Sequence, residues 1–189
     1  RTLGDINKAR DKMEKIIIDA DRFLRTISRI SHEIIEKHQD FNNVILVGVK
    51  RRGAEIAELI QRRIEELNGV SLPMMELDIT FYRDDLSSLS EHPVVNATDL
   101  PFQVQDARIV MVDDVLFSGR TARAAMEAVI RLGRPARIRL AVMVDRGHRE
   151  LPIDPEYVGK NVPTAREEQI CVLTPQFDGQ WGIHLRKQA

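Results

Sequence analysis

One continuous apolar run, ending in two acids and a loop of small residues, constrains the fold of this chain more than any other feature. Residues 109–112 are all apolar, which is typical of a strand buried on both faces of a parallel sheet. Asp113 and Asp114 follow where we expect the strand to end, and a helical pattern begins at residue 122. Because ligands of open α/β sheets bind beyond the carboxyl ends of the strands, the sequence predicts a binding site here.

The loop between this strand and the helix suits a phosphate. Gly119 lets the backbone approach a ligand closely, and Ser118 and Thr121 add hydroxyl donors to the N–H groups of a helix start. Carboxylates beside a phosphate suit the hydroxyls of a sugar, or a magnesium ion bound through them, so the stretch predicts a site for a ribose 5-phosphate. The alternative is an ordinary strand–turn–helix with a capping hydroxyl. Neither a Walker A loop nor a G-x-G-x-x-G fingerprint occurs in the chain.

The composition is that of a single α/β domain. Of 189 residues, 43% are hydrophobic and 30% charged, and the net charge of −1 means that any nucleic-acid surface must be a local patch. The only cysteine is Cys171, which excludes a disulfide within the chain and fits a cytoplasmic protein. No apolar run approaches the length that spans a membrane. We predict one domain over residues 20–189, preceded by a tail or an extra helix over residues 1–19.

Alternating strand and helix patterns predict a central, mostly parallel sheet flanked by helices. The first helix is expected over residues 20–38. Its predicted apolar face is Leu24, Ile27, Ile34 and Ile35. The polar residues 82–101 predict a flexible loop or a hairpin arm. The other predicted strands are 44–49, 74–81, 109–112, 137–144, 169–173 and 181–185, the other predicted helices are 54–67 and 122–132, and residues 145–164 are expected to be rich in loops.

A second loop at a strand end carries three consecutive cations, Lys50, Arg51 and Arg52, followed by Gly53. Positive charge at the start of a helix suits a second anion. Taken alone, this segment favours a solvated basic turn. Beside the phosphate loop predicted above, however, two anion sites at neighbouring strand ends suit one ligand that carries phosphates at both ends.

Two further segments carry side chains capable of binding or catalysis. Arg83 is followed by two acids and two serines, which predicts either a lid that excludes water from the reaction or a hairpin arm for dimer contacts. After the strand 137–144, Arg146 could reach phosphates or a base, and the backbone near Val162 could pair with the edge of a pyrimidine. Each stretch around Arg146 and Val162, taken alone, could instead be a surface loop.

The segment 109–121, with its Asp-Asp pair and Ser-Gly-Arg-Thr loop, resembles the signature of type I phosphoribosyltransferases, which bind phosphoribosyl pyrophosphate (PRPP). The sequences D-R-G-H-R-E-L-P at 145–152 and V-G-K-N-V-P-T at 158–164 are similar to one branch of that family, the pyrimidine operon attenuation regulators that are also uracil phosphoribosyltransferases. The resemblance runs from about residue 26 to residue 164, and residues 165–189 are divergent. It implies the type I phosphoribosyltransferase fold with a small hood or lid, and the conversion of uracil and PRPP to UMP and pyrophosphate with Mg²⁺.

The same resemblance implies roles for individual residues. Asp113 and Asp114 hold the ribose hydroxyls and form the implied catalytic set with Arg83, while Mg²⁺ binds through PRPP rather than through direct metal ligands. Arg51 stands where threonine is usual in the family, so its charge would either tighten pyrophosphate binding or crowd the loop. The implied PRPP-binding residues are Lys50, Arg51, Arg52, Asp113, Asp114, Val115, Leu116, Phe117, Ser118, Gly119, Arg120 and Thr121, with Arg146 and Val162 at the pyrophosphate or the base.

The branch also implies that a stem-loop in the leader of pyrimidine-operon messenger RNA binds when UMP is bound, and that the chain forms homodimers or larger homo-oligomers. RNA needs a basic surface, and Arg25, Arg29 and His32 share one face of the predicted first helix. Asp154 and Glu156 add acid nearby, so a solvated basic face is the alternative. Two other hypotheses are a salvage enzyme without RNA binding and a phosphoribosyltransferase for another base. The implied RNA-binding residues are Ser28, Arg29, His32, Lys37, His148, Arg149, Lys160 and Thr164.

Overall fold

The structure, a computed structural model, describes residues 14–79 and 103–187, and eight strands and four helices lie within these ranges. The strands are β1 (Glu14–Ile18), β2 (Val44–Val49), β3 (Met74–Leu77), β4 (Arg108–Leu116), β5 (Arg137–Asp145), β6 (Tyr157–Asn161), β7 (Glu168–Leu173) and β8 (Gly182–Lys187). The helices are α1 (Ala20–Lys37), α2 (Arg52–Asn68), α3 (Arg120–Leu132) and α4 (Pro175–Asp178). The predicted loop or hairpin arm at 82–101, with Arg83, lies outside the described residues.

Five strands form a parallel sheet in the order β3-β2-β4-β5-β6, with β4 at its centre. Helices cover both faces. Leu46 of β2 packs in one apolar core with residues of α1 and α2, and its neighbour Val47 packs in a second core with residues of α3. The two cores lie on opposite faces because successive side chains of a strand alternate across the sheet. The prediction of a parallel central sheet flanked by helices is confirmed.

Helix α1 begins at Asp19, whose side chain accepts a hydrogen bond from Arg22 N at 2.9 Å, as an N-cap does. Its buried stripe runs from Phe23 through Ile27 to Ile34. The predicted apolar face was wrong at Leu24, which is 42% exposed, whereas Phe23 is fully buried. Phe23 stacks on Trp181, with ring centroids 5.0 Å apart, so a contact distant in sequence decides which face of the first turn is buried.

A second, antiparallel sheet has the order β1-β8-β7. The predicted strands 169–173 and 181–185 correspond to β7 and β8, with α4 between them. The prediction of a tail or helix for residues 1–19 is wrong over residues 14–18, because these form β1 and pair with β8, Glu14 lying opposite Arg186. A short strand whose only partner lies near the other end of the chain has no local pattern that would reveal it.

Three details of the main sheet differ from the prediction. Strand β4 continues to Leu116, so the acid pair lies within the strand rather than after it. Strand β3 ends at Leu77, earlier than the predicted residue 81. Strand β6 lies inside the segment that was expected to be rich in loops. This last strand forms an edge of the sheet, where one side stays open to solvent, so a polar sequence with a single buried residue, Tyr157, is sufficient.

Candidate active site

The neighbouring strands β2 and β4 each lead into a loop that starts a helix. The phosphate loop (residues 116–121) lines a cavity of about 440 Å³. The pyrophosphate loop (residues 50–53) lines a second cavity of about 260 Å³. Asp113, Val115 and Thr121 line both cavities, so the two are contiguous. The structure therefore brings together three features that the sequence singled out: the acid pair, the cationic loop and the loop of small residues.

The carbonyl groups of the phosphate loop are hydrogen-bonded to residues 149–151. Ser118 O accepts hydrogen bonds from the N–H groups of residues 150 and 151, at 2.9 and 3.2 Å. Phe117 O accepts one from Arg149 Nη1 at 3.1 Å. Because the C=O and N–H of a trans peptide point in opposite directions, these bonds turn the N–H groups of Ser118 and Gly119 away from residues 149–151. The loop is thus oriented to present backbone donors to a ligand on its other side.

Helix α3 begins directly after this loop. Gly119 precedes it with φ of 92°, a left-handed conformation that glycine adopts without steric cost. Ser118 Oγ accepts a hydrogen bond from Arg120 N at 3.3 Å, and Arg120 Nε lies 2.8 Å from Glu150 Oε2. The positive end of the helix therefore adjoins the loop donors, an arrangement that favours an anion.

The acid pair lines these cavities: Asp113 lines both of them, and Asp114 lines the smaller one. Asp113 is only 8% exposed. Its Oδ1 accepts a hydrogen bond from Asp114 N, and Asp114 Oδ1 accepts one from Val115 N, both at 2.8 Å. Each carboxylate is thereby oriented by the next backbone N–H, and a carboxylate can accept several more hydrogen bonds. This geometry can bind hydroxyl groups of a ligand that extends between the cavities.

The pyrophosphate loop approaches β4 very closely. A Cβ added at Gly53 would lie 2.6 Å from Val112 O and 3.1 Å from Asp113 Cα, so only glycine fits here. The Lys50–Arg51 peptide is cis, and Lys50 Nζ lies 3.7 Å from Glu76 Oε2. The first turn of α2 is therefore placed against the acid pair by the absence of a side chain.

Arg146, predicted to reach phosphates or a base, is buried and tied to neighbouring loops. Its Nε donates to Thr164 Oγ1 at 3.0 Å and its Nη2 to Ala165 O at 3.1 Å. Its guanidinium carbon lies 4.3 Å from the centre of the Phe117 ring, so Arg146 packs against a side chain of the phosphate loop. Val162 N donates to Asp145 O at 2.9 Å, which means that pairing with a base would use the Val162 carbonyl or displace that bond.

Arg149 connects the same segment to the end of β5. Its Nη2 lies 2.6 Å from Asp145 Oδ2, and its Nε donates to Ile153 O at 2.7 Å. Burial alone would raise the pKa of Asp145, but hydrogen bonds from Arg149 and Gly147 N–H, with the Arg149 charge, hold it below its ordinary value. Sequence reasoning missed Asp145 and Glu150 as partners that fix this segment, although both lie in the motif 145–152.

The residues assigned to RNA fall into two groups. On α1, Arg29 donates to the carbonyls of Val158 and Gly159 in β6, at 3.1 and 2.6 Å. A basic cavity of about 320 Å³ lies beside these contacts. Its cationic lining residues are Arg22, Arg25, Arg29 and Lys160. Sequence reasoning did not single out Arg22 as a site residue, although it lies one helical turn before Arg25.

The second group lies in the loops that support the active site. His148 Nε2 is 2.5 Å from Thr164 O, and Arg149 contacts the phosphate loop as described above. The remaining candidates lie on α1. His32 is exposed, Ser28 Oγ accepts a hydrogen bond from Arg63 Nε at 2.9 Å, and Lys37 pairs with Glu156. Glu156, the acid that the sequence placed near the basic surface, therefore pairs with Lys37, one of the predicted RNA contacts.

Within residues 14–79 and 103–187, no group of three or more His, Cys, Asp or Glu side chains is arranged to hold a metal ion. None of the helices that the structure describes combines the length and the apolar character needed to cross a membrane.

Comparison with known proteins identifies the family. Residues 14–173 match the model of the phosphoribosyl transferase domain. The bifunctional protein PyrR of Haemophilus influenzae is 62% identical over 174 residues, which cover 90% of this chain and 97% of that protein. The bifunctional protein PyrR of Mannheimia succiniciproducens is 57% identical over 176 residues, covering 92% and 98% of the two chains.

Solved structures agree on the fold. A hypoxanthine phosphoribosyltransferase of Trypanosoma cruzi superposes with a TM-score of 0.70 at 15% identity, covering 93% of this chain and 97% of that one. A hypoxanthine phosphoribosyltransferase of Staphylococcus aureus gives 0.70 at 12% identity, covering 94% of each chain. The predicted type I fold and the predicted class of enzyme are thereby confirmed. The chain belongs to the phosphoribosyltransferase domain family and, within it, to the group of bifunctional PyrR proteins.

Proposed function

We propose that the site at the ends of β2 and β4 transfers the 5-phosphoribosyl group of PRPP to uracil, forming UMP and pyrophosphate. The observation that carries this proposal is the junction of the two cavities at the buried Asp113. PRPP has anionic groups at both ends of a ribose, and here two anion-binding loops flank an acid pair suited to the hydroxyls between them. A ligand with one phosphate would use only one of these loops.

Each part of the site has a role in this reaction. The 5-phosphate binds the N–H groups of Ser118 and Gly119, and the cations of residues 50–52 bind pyrophosphate. Asp113 and Asp114 hold the ribose hydroxyls and stabilise the positive charge that develops at the sugar carbon as its bond to pyrophosphate breaks. Nitrogen N1 of uracil bonds to that carbon, and Asp113 accepts the N1 proton. Arg83 belongs to this catalytic set on the strength of the sequence, since it lies outside the described residues.

The acid pair fits a magnesium ion that is bound together with PRPP. Carboxylate oxygens suit Mg²⁺, and Asp113 and Asp114 both line the smaller cavity. These two side chains would hold an ion that enters with PRPP through the ribose hydroxyls rather than as direct metal ligands. When bound, the ion would supply positive charge that neutralises the leaving pyrophosphate.

The enzymatic proposal is tested by incubating the purified chain with PRPP, Mg²⁺ and one of three labelled bases: uracil, hypoxanthine or orotate. We expect UMP from uracil and no nucleotide from the other two. Comparable product from hypoxanthine or orotate would favour a phosphoribosyltransferase for another base. No product from any base would contradict the assignment of catalysis to this site.

A second function, UMP-dependent binding of a pyrimidine-operon leader RNA stem-loop, is favoured by the basic cavity beside α1 and β6. Four cationic side chains line it, and phosphates of RNA bind to such surfaces. The second group of RNA candidates, including His148 and Arg149, lies in the segment that holds the phosphate loop. Nucleotide bound at that loop therefore adjoins residues assigned to RNA, which provides a route for UMP to influence RNA binding.

RNA binding is tested by a filter or gel-shift assay with a pyrimidine-leader stem-loop, with and without UMP, at a stated salt concentration. We expect binding that UMP strengthens and that Arg29→Ala and Arg149→Ala each weaken by about tenfold or more. Arg131→Ala is the matched control, since Arg131 lies on α3 at the opposite face of the sheet. Equal affinity for a scrambled RNA would leave a cytoplasmic uracil salvage enzyme with an unused basic face.

The proposed assembly is a homodimer or a larger homo-oligomer. One basic face per subunit is small for an RNA loop, and two copies related by symmetry double that surface. Sedimentation or light scattering gives the mass directly. A monomer at the concentrations that bind RNA would contradict this part of the proposal.

A further inference from the structure

Helix α4 packs against the outer side of the pyrophosphate loop. Thr174 immediately precedes it, and Gly179 ends it with φ of 73°. Gln176 N donates to Glu55 Oε1 at 3.0 Å, and Glu55 belongs to the first turn of α2, which continues the pyrophosphate loop. The link joins two segments separated by more than half the chain, so the position of the loop depends on the C-terminal region.

The last residue of α4 holds an arginine of the pyrophosphate loop. Arg52 Nε lies 3.2 Å from Asp178 Oδ2, and Arg52 Nη2 lies 3.2 Å from Asp178 Oδ1, which is a bidentate contact along one edge of the guanidinium. Asp178 Oδ2 also accepts a hydrogen bond from Thr174 N at 2.9 Å. The carboxylate is thus fixed within α4 and in turn restrains the Arg52 side chain.

The contact between Arg52 and Asp178 is an ion pair. Burial alone would raise the pKa of Asp178, but hydrogen bonds from Arg52 and Thr174 N–H, with the charges of Arg52 and Arg186, hold it below its ordinary value. Asp178 is therefore ionised at neutral pH.

The ring of Phe177 lies close to both Arg51 and Arg52. The guanidinium carbons of Arg51 and Arg52 lie 5.8 and 5.5 Å from the centre of the ring, within the range of a cation–π contact. An aromatic ring attracts both cations electrostatically and so reduces the cost of placing like charges side by side. Arg51, unusual for the family, therefore has a partner in α4 that is not part of the pyrophosphate loop.

We infer that Asp178 is a positioning residue for the pyrophosphate end of PRPP: it holds one edge of the Arg52 guanidinium and leaves the other edge for an oxyanion in the cavity that Arg52 lines. The guanidinium carries five N–H donors in a rigid plane, and the bidentate contact occupies one pair of them. An arginine already fixed in place loses less conformational freedom when the anion binds. This inference rests on the proposed phosphoribosyl transfer.

The test compares Asp178→Asn with the wild-type chain in four measurements: KM for PRPP, kcat, inhibition by pyrophosphate, and the dissociation constant of UMP. Asparagine keeps the size of the side chain but loses its charge and the bidentate geometry. We expect KM for PRPP and the inhibition constant of pyrophosphate to rise about tenfold, with kcat changed less than about twofold. UMP lacks the pyrophosphate group, so its dissociation constant should stay within about twofold of the wild-type value.

Three other variants complete the test. Asp178→Glu retains the charge and should recover part of the loss. Asp40→Asn is the matched control, because it removes a carboxylate from the Asp40–Arg108 pair, at the opposite end of β4 from the site. We expect Asp40→Asn to leave all four values unchanged. If Asp178→Asn does not fold, Phe177→Leu makes the same measurement, with a rise of about two- to threefold in KM for PRPP expected from the lost ring contact.

Three results would overturn the inference: values for Asp178→Asn equal to those of the wild type, tighter pyrophosphate binding, or equal weakening of UMP and PRPP. Tighter binding would mean that Asp178 competes with the anion for Arg52. Equal weakening would mean a general structural role. If the wild-type chain neither forms nor binds UMP, the proposed function fails, and this outcome is distinct from a failure of Asp178 alone.

Discussion

The phosphate loop and the pyrophosphate loop lie side by side but are held in different ways. The carbonyls of Phe117 and Ser118 accept hydrogen bonds from the segment 149–151, and two of these three bonds come from backbone N–H groups. The pyrophosphate loop has a backbone hydrogen bond from Lys50 N to Leu77 O at 2.8 Å, and Arg52 is held by side-chain contacts with Asp178 and Phe177. One loop is thus held mainly through backbone N–H groups, and the other depends more on particular side chains.

This difference has consequences for function. A backbone-held loop keeps its shape when the side chains around it change, which suits a binding site for a phosphate that is the same in PRPP and UMP. A loop held by side chains can respond to single substitutions and to changes in charge, which suits the end of the site where pyrophosphate must bind and leave. Substitutions at the acid pair, within each loop and in the support of the phosphate loop test this contrast.

The largest effect is expected at the junction of the two loops. Asp114→Asn keeps the acceptor that binds Val115 N, so the fold should persist, while the charge that we propose holds the ribose hydroxyls is lost. We expect PRPP affinity to fall about 10- to 100-fold, the value of a hydrogen bond to a charged group. Isothermal titration with PRPP and Mg²⁺, beside a thermal melt, measures both properties. Unchanged PRPP affinity in a folded variant would refute the role given to Asp114.

A substitution in the pyrophosphate loop should follow. In Gly53→Ala the added methyl group meets Val112 O and Asp113 Cα, both backbone atoms that cannot turn aside. We expect the free energy of unfolding to fall by about 1–3 kcal/mol and activity to fall with it, because the loop moves away from the acid pair. Chemical denaturation and steady-state kinetics check this. Wild-type stability would show that the close approach is not needed.

The corresponding glycine of the phosphate loop should matter less. Gly119→Ala must adopt φ of 92°, and the new methyl group meets only side-chain atoms, with Ile153 Cδ1 at 3.4 Å. We expect a loss of about 1–2 kcal/mol in unfolding free energy, the cost of the left-handed conformation for alanine. UMP and PRPP should weaken together, because both carry the 5-phosphate. Selective loss of PRPP alone would contradict the assignment of this loop.

The smallest effect concerns pH and the support of the phosphate loop. Asp145 has a pKa below its ordinary value of 3.8 in the folded chain, so its pairing with Arg149 stabilises the protein above that pH, and this stability is lost as pH falls through the folded pKa. Asp145→Asn should therefore lower the free energy of unfolding by about 1 kcal/mol at neutral pH and by progressively less in acid. Melting temperatures of both chains between pH 7 and acid pH measure the difference. A difference in melting temperature that grows as the pH falls would contradict the expected stabilisation by ionised Asp145.

Much of the fold followed from local pattern. The apolar runs 44–49 and 109–112 predict buried parallel strands because such strands are covered on both faces, and both lie within observed strands. The edge strand β6 and the strand β1 could not be predicted in this way. Strand β6 is short and only its Tyr157 is buried, and the partner of β1 lies near the other end of the chain. Leu24 and Phe23 show the same limit within one helix turn, since only the contact with Trp181 decides between them.

The same distinction between local pattern and distant contact applies to the candidate site. The residue types and order of segment 113–121 suffice to predict an acid pair and an anion loop, and segment 50–53 is predicted as a second anion loop only because the first one is present. Asp178 and Phe177, which hold the pyrophosphate loop, are distant in sequence and lie in the divergent C-terminal region, so no motif includes them. Arg149 was assigned to RNA by resemblance, whereas its bond to Phe117 O also gives it a place in the support of the phosphate loop.

The sequence by itself determined the family, the residue types of each loop and the positions of the buried strands along the chain, because these depend on residue types at short and regular spacing. The tertiary structure decided which loops meet, which arginine has a carboxylate partner and which basic residues surround one cavity. These properties depend on contacts between residues more than a hundred positions apart, such as Arg52 with Asp178 and Arg29 with Gly159. Such contacts form only when the packing of helices on the sheet brings the segments together, and no local pattern records that packing.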